Sequence, residues 1–96
     1  MFPKSKRISN PELLEKIRMQ NCLFCLKPGP NDPHHLKSVG ARGDDIEDNL
    51  IAACRACHTE LHKRGLYYMM QNYLNAGRIL SSKGWKLIQG RMRNEN

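Results

Sequence analysis

Cys54-Arg55-Ala56-Cys57-His58-Thr59-Glu60-Leu61-His62 is the stretch on which the fold turns. It reads as helix from Cys54 to Arg64, halted by Gly65, with Lys63 and Arg64 in the last turn, where cations suit the helix dipole. His58 and His62 are four residues apart and project from one face. Cys57 and His58 are adjacent, about 100° apart around the helix, and so point to different places. One ion does not comfortably take both. The helix is therefore expected to stand between two sites, one of thiols and one of imidazoles.

Further out, Cys22-Leu23-Phe24-Cys25 repeats the spacing of Cys54 and Cys57, with 28 residues between the two pairs. Each Cys-x-x-Cys knuckle presents two thiolates on one side of a tight turn, and two knuckles meet at one tetrahedral Zn²⁺. Four thiolates leave no open position for water, so Cys22, Cys25, Cys54 and Cys57 are expected to hold a structural zinc. A secreted disulfide domain explains the cysteines less well, because histidines are interleaved with them and no apolar segment follows the basic start. A redox pair lacks the βαβ pattern that usually surrounds one.

His34 and His35 are adjacent in a short stretch that reads as a strand, and successive strand side chains point to opposite faces. Only one of them enters a site with His58 and His62 in regular geometry; the other is left for a different task. Three imidazoles with open positions suit metal-assisted chemistry, and a free imidazole titrating near neutrality is a natural general base.

The rest of the 96 residues fits one domain. Residues 1–8 read as a basic arm. Ser9-Asn10-Pro11-Glu12 predicts a helix start, with Leu13, Leu14 and Ile17 as its apolar stripe and its end by residue 21. Residues 34–37 and 49–53 read as two short strands separated by a loop over 38–48, the knuckled core spanning 22–64. Within the basic extension over 65–96, Leu66 to Asn75 predicts a helix closed by Ala76-Gly77. Arg78 to Arg93 receives no firm assignment: Ile79, Leu80, Trp85, Leu87 and Ile88 need burial, but Gly84 breaks any long helix.

The formal charge is +7, and between Leu61 and Arg93 there are seven Lys or Arg and no acidic residue. Such a lopsided field attracts polyanions. A basic chain with a metal-ready imidazole cluster points to a phosphodiester as substrate. No stretch is long and apolar enough to span a membrane, and no secretory signal is evident, so a cytoplasmic protein without a membrane partner is expected.

His34-His35, Asn49, Cys54-x-x-Cys57-His58 and His62, preceded by the first knuckle, resemble the HNH endonuclease family with its two zinc-binding knuckles. The resemblance spans Cys22 to about Arg64 and extends to the zinc-knuckled proteins of phages, mobile elements and restriction systems. It implies an α+β fold, a small ββα-metal (His-Me finger) module with a four-cysteine structural zinc, flanked here by N- and C-terminal helices. It also implies that His35 is the general base, that Asn49 braces the loop and orients His35, and that His34, His58 and His62 hold one catalytic divalent ion. An imidazole set favours Mn²⁺, Ni²⁺, Co²⁺ or Zn²⁺ over Mg²⁺ by ligand softness, although the family tolerates several metals. The implied activity is hydrolysis of duplex DNA by nicking, with little sequence preference, by a monomer or weak dimer that needs no small-molecule cofactor. Lys37, Arg42, Arg55, Lys63 and Arg64 are the candidate phosphate contacts nearest the site, and such contacts position DNA without reading bases. A non-catalytic zinc ribbon that binds nucleic acid also accounts for the cysteines and the charge. It leaves His35, Asn49 and the His58/His62 pair without a task. A zinc-stabilised adaptor recruiting a protein partner through Trp85 and the C-terminal apolar residues is a second alternative, and it predicts no DNA affinity at low salt.

Overall fold

Asn10 begins the first helix. In the computed structural model, which describes residues 7–88 and 91–94, its side chain accepts a hydrogen bond from the Leu13 N–H at 3.1 Å. Pro11 takes the first helical position, and α1 runs Pro11–Arg18. Most of the expected basic arm, residues 1–6, lies outside the described residues. The helix buries Ile17, with Leu13 and Leu14 beside it, against Leu50 and Ala52.

Those two residues belong to β2 (Leu50–Ala53), which pairs antiparallel with β1 (Asp32–His35). The register sets Asp32 opposite Ala53, His34 opposite Ile51 and His35 opposite Leu50. Every residue of β2 is buried. Leu50 and Ala52 face α1, while Ile51 and Ala53 join the larger cluster on the other side. A strand covered on both faces reads as a continuous apolar run instead of an alternating one, which is how Leu50-Ile51-Ala52-Ala53 stands in the sequence.

Cys54 caps the next helix, its sulfur accepting from the Cys57 N–H, and α2 runs Arg55–Arg64. Gly65, at φ +88°, ends it in a conformation that suits glycine. The ββα order expected of residues 22–64 is thereby present.

Beyond Gly65 the structure departs from the expectation of one helix closed by Ala76-Gly77. The chain forms α3 (Leu66–Asn72), turns through an extended Tyr73, and continues as α4 (Leu74–Ser82), with Ala76 and Gly77 inside the second helix. Ala76 is fully buried, and a Cβ on Gly77 would lie 3.1 Å from the Met70 carbonyl oxygen. Small residues here let two helices approach closely; the same pair was legible only as a helix stop. The segment left unassigned becomes a hairpin of β3 (Trp85–Ile88) and β4 (Arg91–Asn94), entered through Gly84 at φ +96°. Trp85 is buried and donates its indole N–H to the Asp48 carbonyl at 2.9 Å, which ties the hairpin to the loop before β2. The side chains of Leu87, Ile88, Arg91 and Arg93 are not among those described.

The larger core gathers Cys22 and Phe24 of the first knuckle, Ile51, Ala53, Cys54, Cys57 and Leu61 around Met69, Ala76, Leu80 and Trp85. The C-terminal segment thus covers the thiol side of α2. Among the described residues no helix is long and apolar enough to cross a membrane.

Candidate active site

The thiol site forms where the first knuckle meets the start of α2. Leu26, at φ +66°, turns the knuckle, and Cys22 and Lys27 close it through a 2.8 Å backbone hydrogen bond. The Leu23 N–H then docks it on the Ala52 carbonyl at 2.9 Å. The sulfurs of Cys22, Cys25, Cys54 and Cys57 lie within 4.8 Å of one another. Cys25 and Cys54 are 3.6 Å apart, and all four are free thiols. Burial is the largest influence on Cys22 and acts upward, yet backbone groups of Cys54, Cys25 and Phe24 outweigh it and bring the thiol down to about 7. Cys57 goes the other way, pushed up by burial and then by its thiol neighbours. Near neutral pH the Cys22 sulfur is thus about evenly divided between thiol and thiolate, and the remaining protons would leave on binding a soft cation. Four close cysteines are the donor set of a structural zinc site.

The imidazole site lies on the other side of α2. His34 reaches it from β1, and His58 and His62 from successive turns of α2. His34 Nδ1 and His62 Nε2 each lie 3.1 Å from His58 Nε2, and the three donor atoms fall within 4.8 Å of one another. His34 and His58 are half-buried and His62 is exposed, so the cluster opens to solvent on one side. Burial, and then the charges of His58, His62 and His35, hold the His34 pKa down to about 4. Its ring is therefore neutral, with a lone pair available, across the physiological range.

Asp32 fixes the direction of His58. Its Oδ2 accepts from His58 Nδ1 at 3.1 Å and forms an ion pair with Arg55 Nε at 3.2 Å. With Nδ1–H so engaged, Nε2 is the nitrogen presented to the cluster. This carboxylate–histidine arrangement is the usual support of an imidazole metal ligand. The hydrogen bond from His58 holds the Asp32 carboxyl below its ordinary range against the upward pull of burial, with Arg55 adding its charge. The donor set and its support fit a divalent transition metal.

His35 turns to the opposite face of β1, where its Nε2 lies 2.6 Å from Asp45 Oδ1. Asn49 is buried beside it and closes the loop between the strands. Its Oδ1 accepts from the Lys37 N–H at 2.7 Å, and its Nδ2 donates to the Lys37 and Asp44 carbonyls at 3.1 and 3.0 Å. The Asn49 carbonyl also accepts from the Leu36 N–H at 2.9 Å, which anchors the residue after His35. Asn49 thus acts on the backbone that carries His35, and the carboxylate against the ring is Asp45. Gly43 makes this closure possible, since a Cβ there would lie 1.7 Å from the Lys37 carbonyl oxygen and 2.8 Å from Asn49 Nδ2.

The candidate phosphate contacts distribute around this site. Arg55, 86% exposed, stands at the start of α2 on the Asp32 side, and Lys63 and Arg64 at its exposed end. Arg64 lies over the Tyr68 ring at 5.3 Å. Lys37 and Arg42 are exposed on the loop between the strands.

Sequence reasoning did not assign Asp32 or Asp45. Asp32 carried a usable signal, because it lies two residues before His34 and so shares its strand face. Asp45 carried none, since it sits in the run Asp44-Asp45-Ile46-Glu47-Asp48, where each acid reads as a solvated loop residue.

Residues 22–64 match the family model described as HNH endonuclease, which covers the two knuckles, both strands of the first sheet and α2. No curated protein and no solved structure matches the chain. The family match over these residues, the ββα order and the close cysteines are consistent with an HNH ββα-metal fold carrying a four-cysteine cluster.

Proposed function

We propose that this chain is a metal-dependent endonuclease that hydrolyses phosphodiester bonds of duplex DNA, nicking one strand per encounter with little sequence preference. The observation that carries the proposal is the convergence of His34, His58 and His62 beside a strand neighbour, His35, that is kept out of the cluster. A closed structural site would have no use for that fourth imidazole.

His34, His58 and His62 would hold one divalent ion, which when bound supplies positive charge to the scissile phosphate and the leaving oxygen. Softness of the donors favours Mn²⁺, Ni²⁺, Co²⁺ or Zn²⁺ over Mg²⁺. His35 takes the proton from the attacking water. Asn49 holds the backbone on either side of the loop, so that His35 keeps its place relative to the cluster. Lys37, Arg42, Arg55, Lys63 and Arg64 contact phosphates and orient the duplex without reading its bases. The four thiolates hold zinc and take no part in the reaction. We place the protein in the cytoplasm as a monomer or weak dimer, with DNA as partner and no small-molecule cofactor.

A supercoiled plasmid incubated with the zinc-loaded chain and each of Mg²⁺, Mn²⁺, Ni²⁺, Co²⁺ and Zn²⁺ tests this. Nicked circles should appear before linear product. Linear DNA arising with no nicked precursor would refute single-strand cleavage. Salt-sensitive binding without cutting under any metal would instead support a non-catalytic zinc ribbon.

A further inference from the structure

Asp45 is 1% exposed, the most deeply buried acid among the described residues. An acid in a loop of a +7 protein has no need to be buried unless several donors meet it there. Three do. His35 Nε2 and Arg7 Nη2 approach Oδ1 at 2.6 and 3.1 Å, and the Asn10 N–H reaches Oδ2 at 2.8 Å. The segment entering α1 is pinned over the same loop, since the Asp45 N–H donates to the Ile8 carbonyl and the Ile8 N–H to Asp44 Oδ1. Burial is the largest influence on the Asp45 carboxyl and acts upward, but the Asn10, His35 and Arg7 donors together keep it below its ordinary value.

An ionised carboxylate only accepts hydrogen bonds, so the nitrogen 2.6 Å from it must carry the proton. In the neutral ring this leaves Nδ1 as the bare lone pair, and no hydrogen bond engages Nδ1 among the described residues. We infer that Asp45 is the positioning residue of the reaction: it locks His35 in the Nε2–H tautomer, aims Nδ1 at the attacking water, and faces the imidazolium that forms. The inference rests on His35 being the general base. In the step, one water proton passes to Nδ1, the water oxygen bonds to phosphorus, and the bond from phosphorus to the leaving oxygen breaks. That oxygen then takes a proton from solvent, and His35 returns its own. Arg7 and Asn10 set the carboxylate, so the segment before α1 contributes to a site otherwise built from residues 32–62.

The test uses the full zinc-loaded chain with ¹⁵N-labelled histidine. At a pH where His35 is neutral, its ring should show a protonated Nε2 and an unprotonated Nδ1; a protonated Nδ1 overturns the inference. Asp45→Asn keeps the shape but can turn its amide NH₂ toward the ring. It should disturb this tautomer and lower kcat by about 10²-fold with KM little changed, the range general-base catalysis contributes. A folded Asp45→Asn protein with wild-type kcat overturns the inference, as does a loss confined to KM. Should the variant not fold, the wild-type tautomer decides alone. Wild-type protein that cuts no DNA defeats the nuclease proposal and with it the role in the reaction, while the ring signals report separately on whether Asp45 holds the Nε2–H tautomer.

Discussion

Replacing Asp32 by Asn probes the metal site without touching a ligand. Asp32 Oδ2 lies 3.1 Å from His58 Nδ1, and the same oxygen is 3.2 Å from Arg55 Nε. The substitution removes the charge that favours Nδ1–H on His58 and raises the basicity of Nε2. Carboxylates in this relation to a ligand histidine typically contribute about 10–100-fold in metal affinity. The Asp32 side chain is 33% exposed and shares its charge with Arg55, so the lower part of that range applies. Asp32→Asn is therefore expected to weaken binding by about 10–30-fold, or about 1.4–2 kcal/mol. The assay is calorimetric titration of Ni²⁺ into protein whose thiol site already holds zinc. Zinc retention by the four cysteines is the internal control, because Asp32 contacts none of them in the hydrogen-bonding network around His58. Unchanged Ni²⁺ affinity in the variant would rule out this support of His58 by Asp32, and so would equal loss at both sites.

Three further outcomes follow from particular packing and charge. Leu80 is fully buried in the larger core, so Leu80→Ala should cost about 2–5 kcal/mol in chemical denaturation of the zinc-loaded protein. Gly43→Ala sets a methyl against the Lys37 carbonyl and Asn49, and should destabilise by at least about 2 kcal/mol in the same measurement, whereas Gly40→Ala, with open space around it, should change little. Because the folded chain holds His34 at about 4 against an ordinary 6.5, the unfolded chain binds the extra proton first as pH falls. Metal-free protein should thus lose about 1–2 kcal/mol, after allowance for partial exposure, between about pH 6.5 and 4, as read by denaturant midpoints across pH. The stabilisation tied to Asp32 and Asp45, whose carboxyls are held below 3.8, is lost only at still lower pH.

The parts of this molecule legible from sequence are those whose spacing alone dictates geometry. Cys57 and His58 point apart because adjacent helical residues must, and the structure sends them to the thiol and imidazole sites. His34 and His35 divide between strand faces for the same kind of reason. Asn10 and Pro11 announce α1 through local chemistry. What was not legible depends on partners distant in the chain. Gly77 as a close-approach residue needs the Met70 carbonyl from another helix, and Trp85 needs the Asp48 carbonyl 37 residues away. Asp45 looks like its acidic neighbours until Arg7, Asn10 and His35 are brought around it. A single strand of sequence carries no mark of which acid in a run will be buried.

The proposed role of His35, a base acting beside a separate metal site, can be tested directly. The most direct measurement is single-turnover plasmid nicking by wild type and His35→Ala, with metal occupancy of the His34, His58 and His62 site determined in parallel. The expected result is metal-dependent nicking by the wild type and a loss of about 10²–10⁴-fold in the variant at undiminished metal affinity. Equal rates for the two proteins, or no nicking by the wild type with any of the five metals, would contradict it.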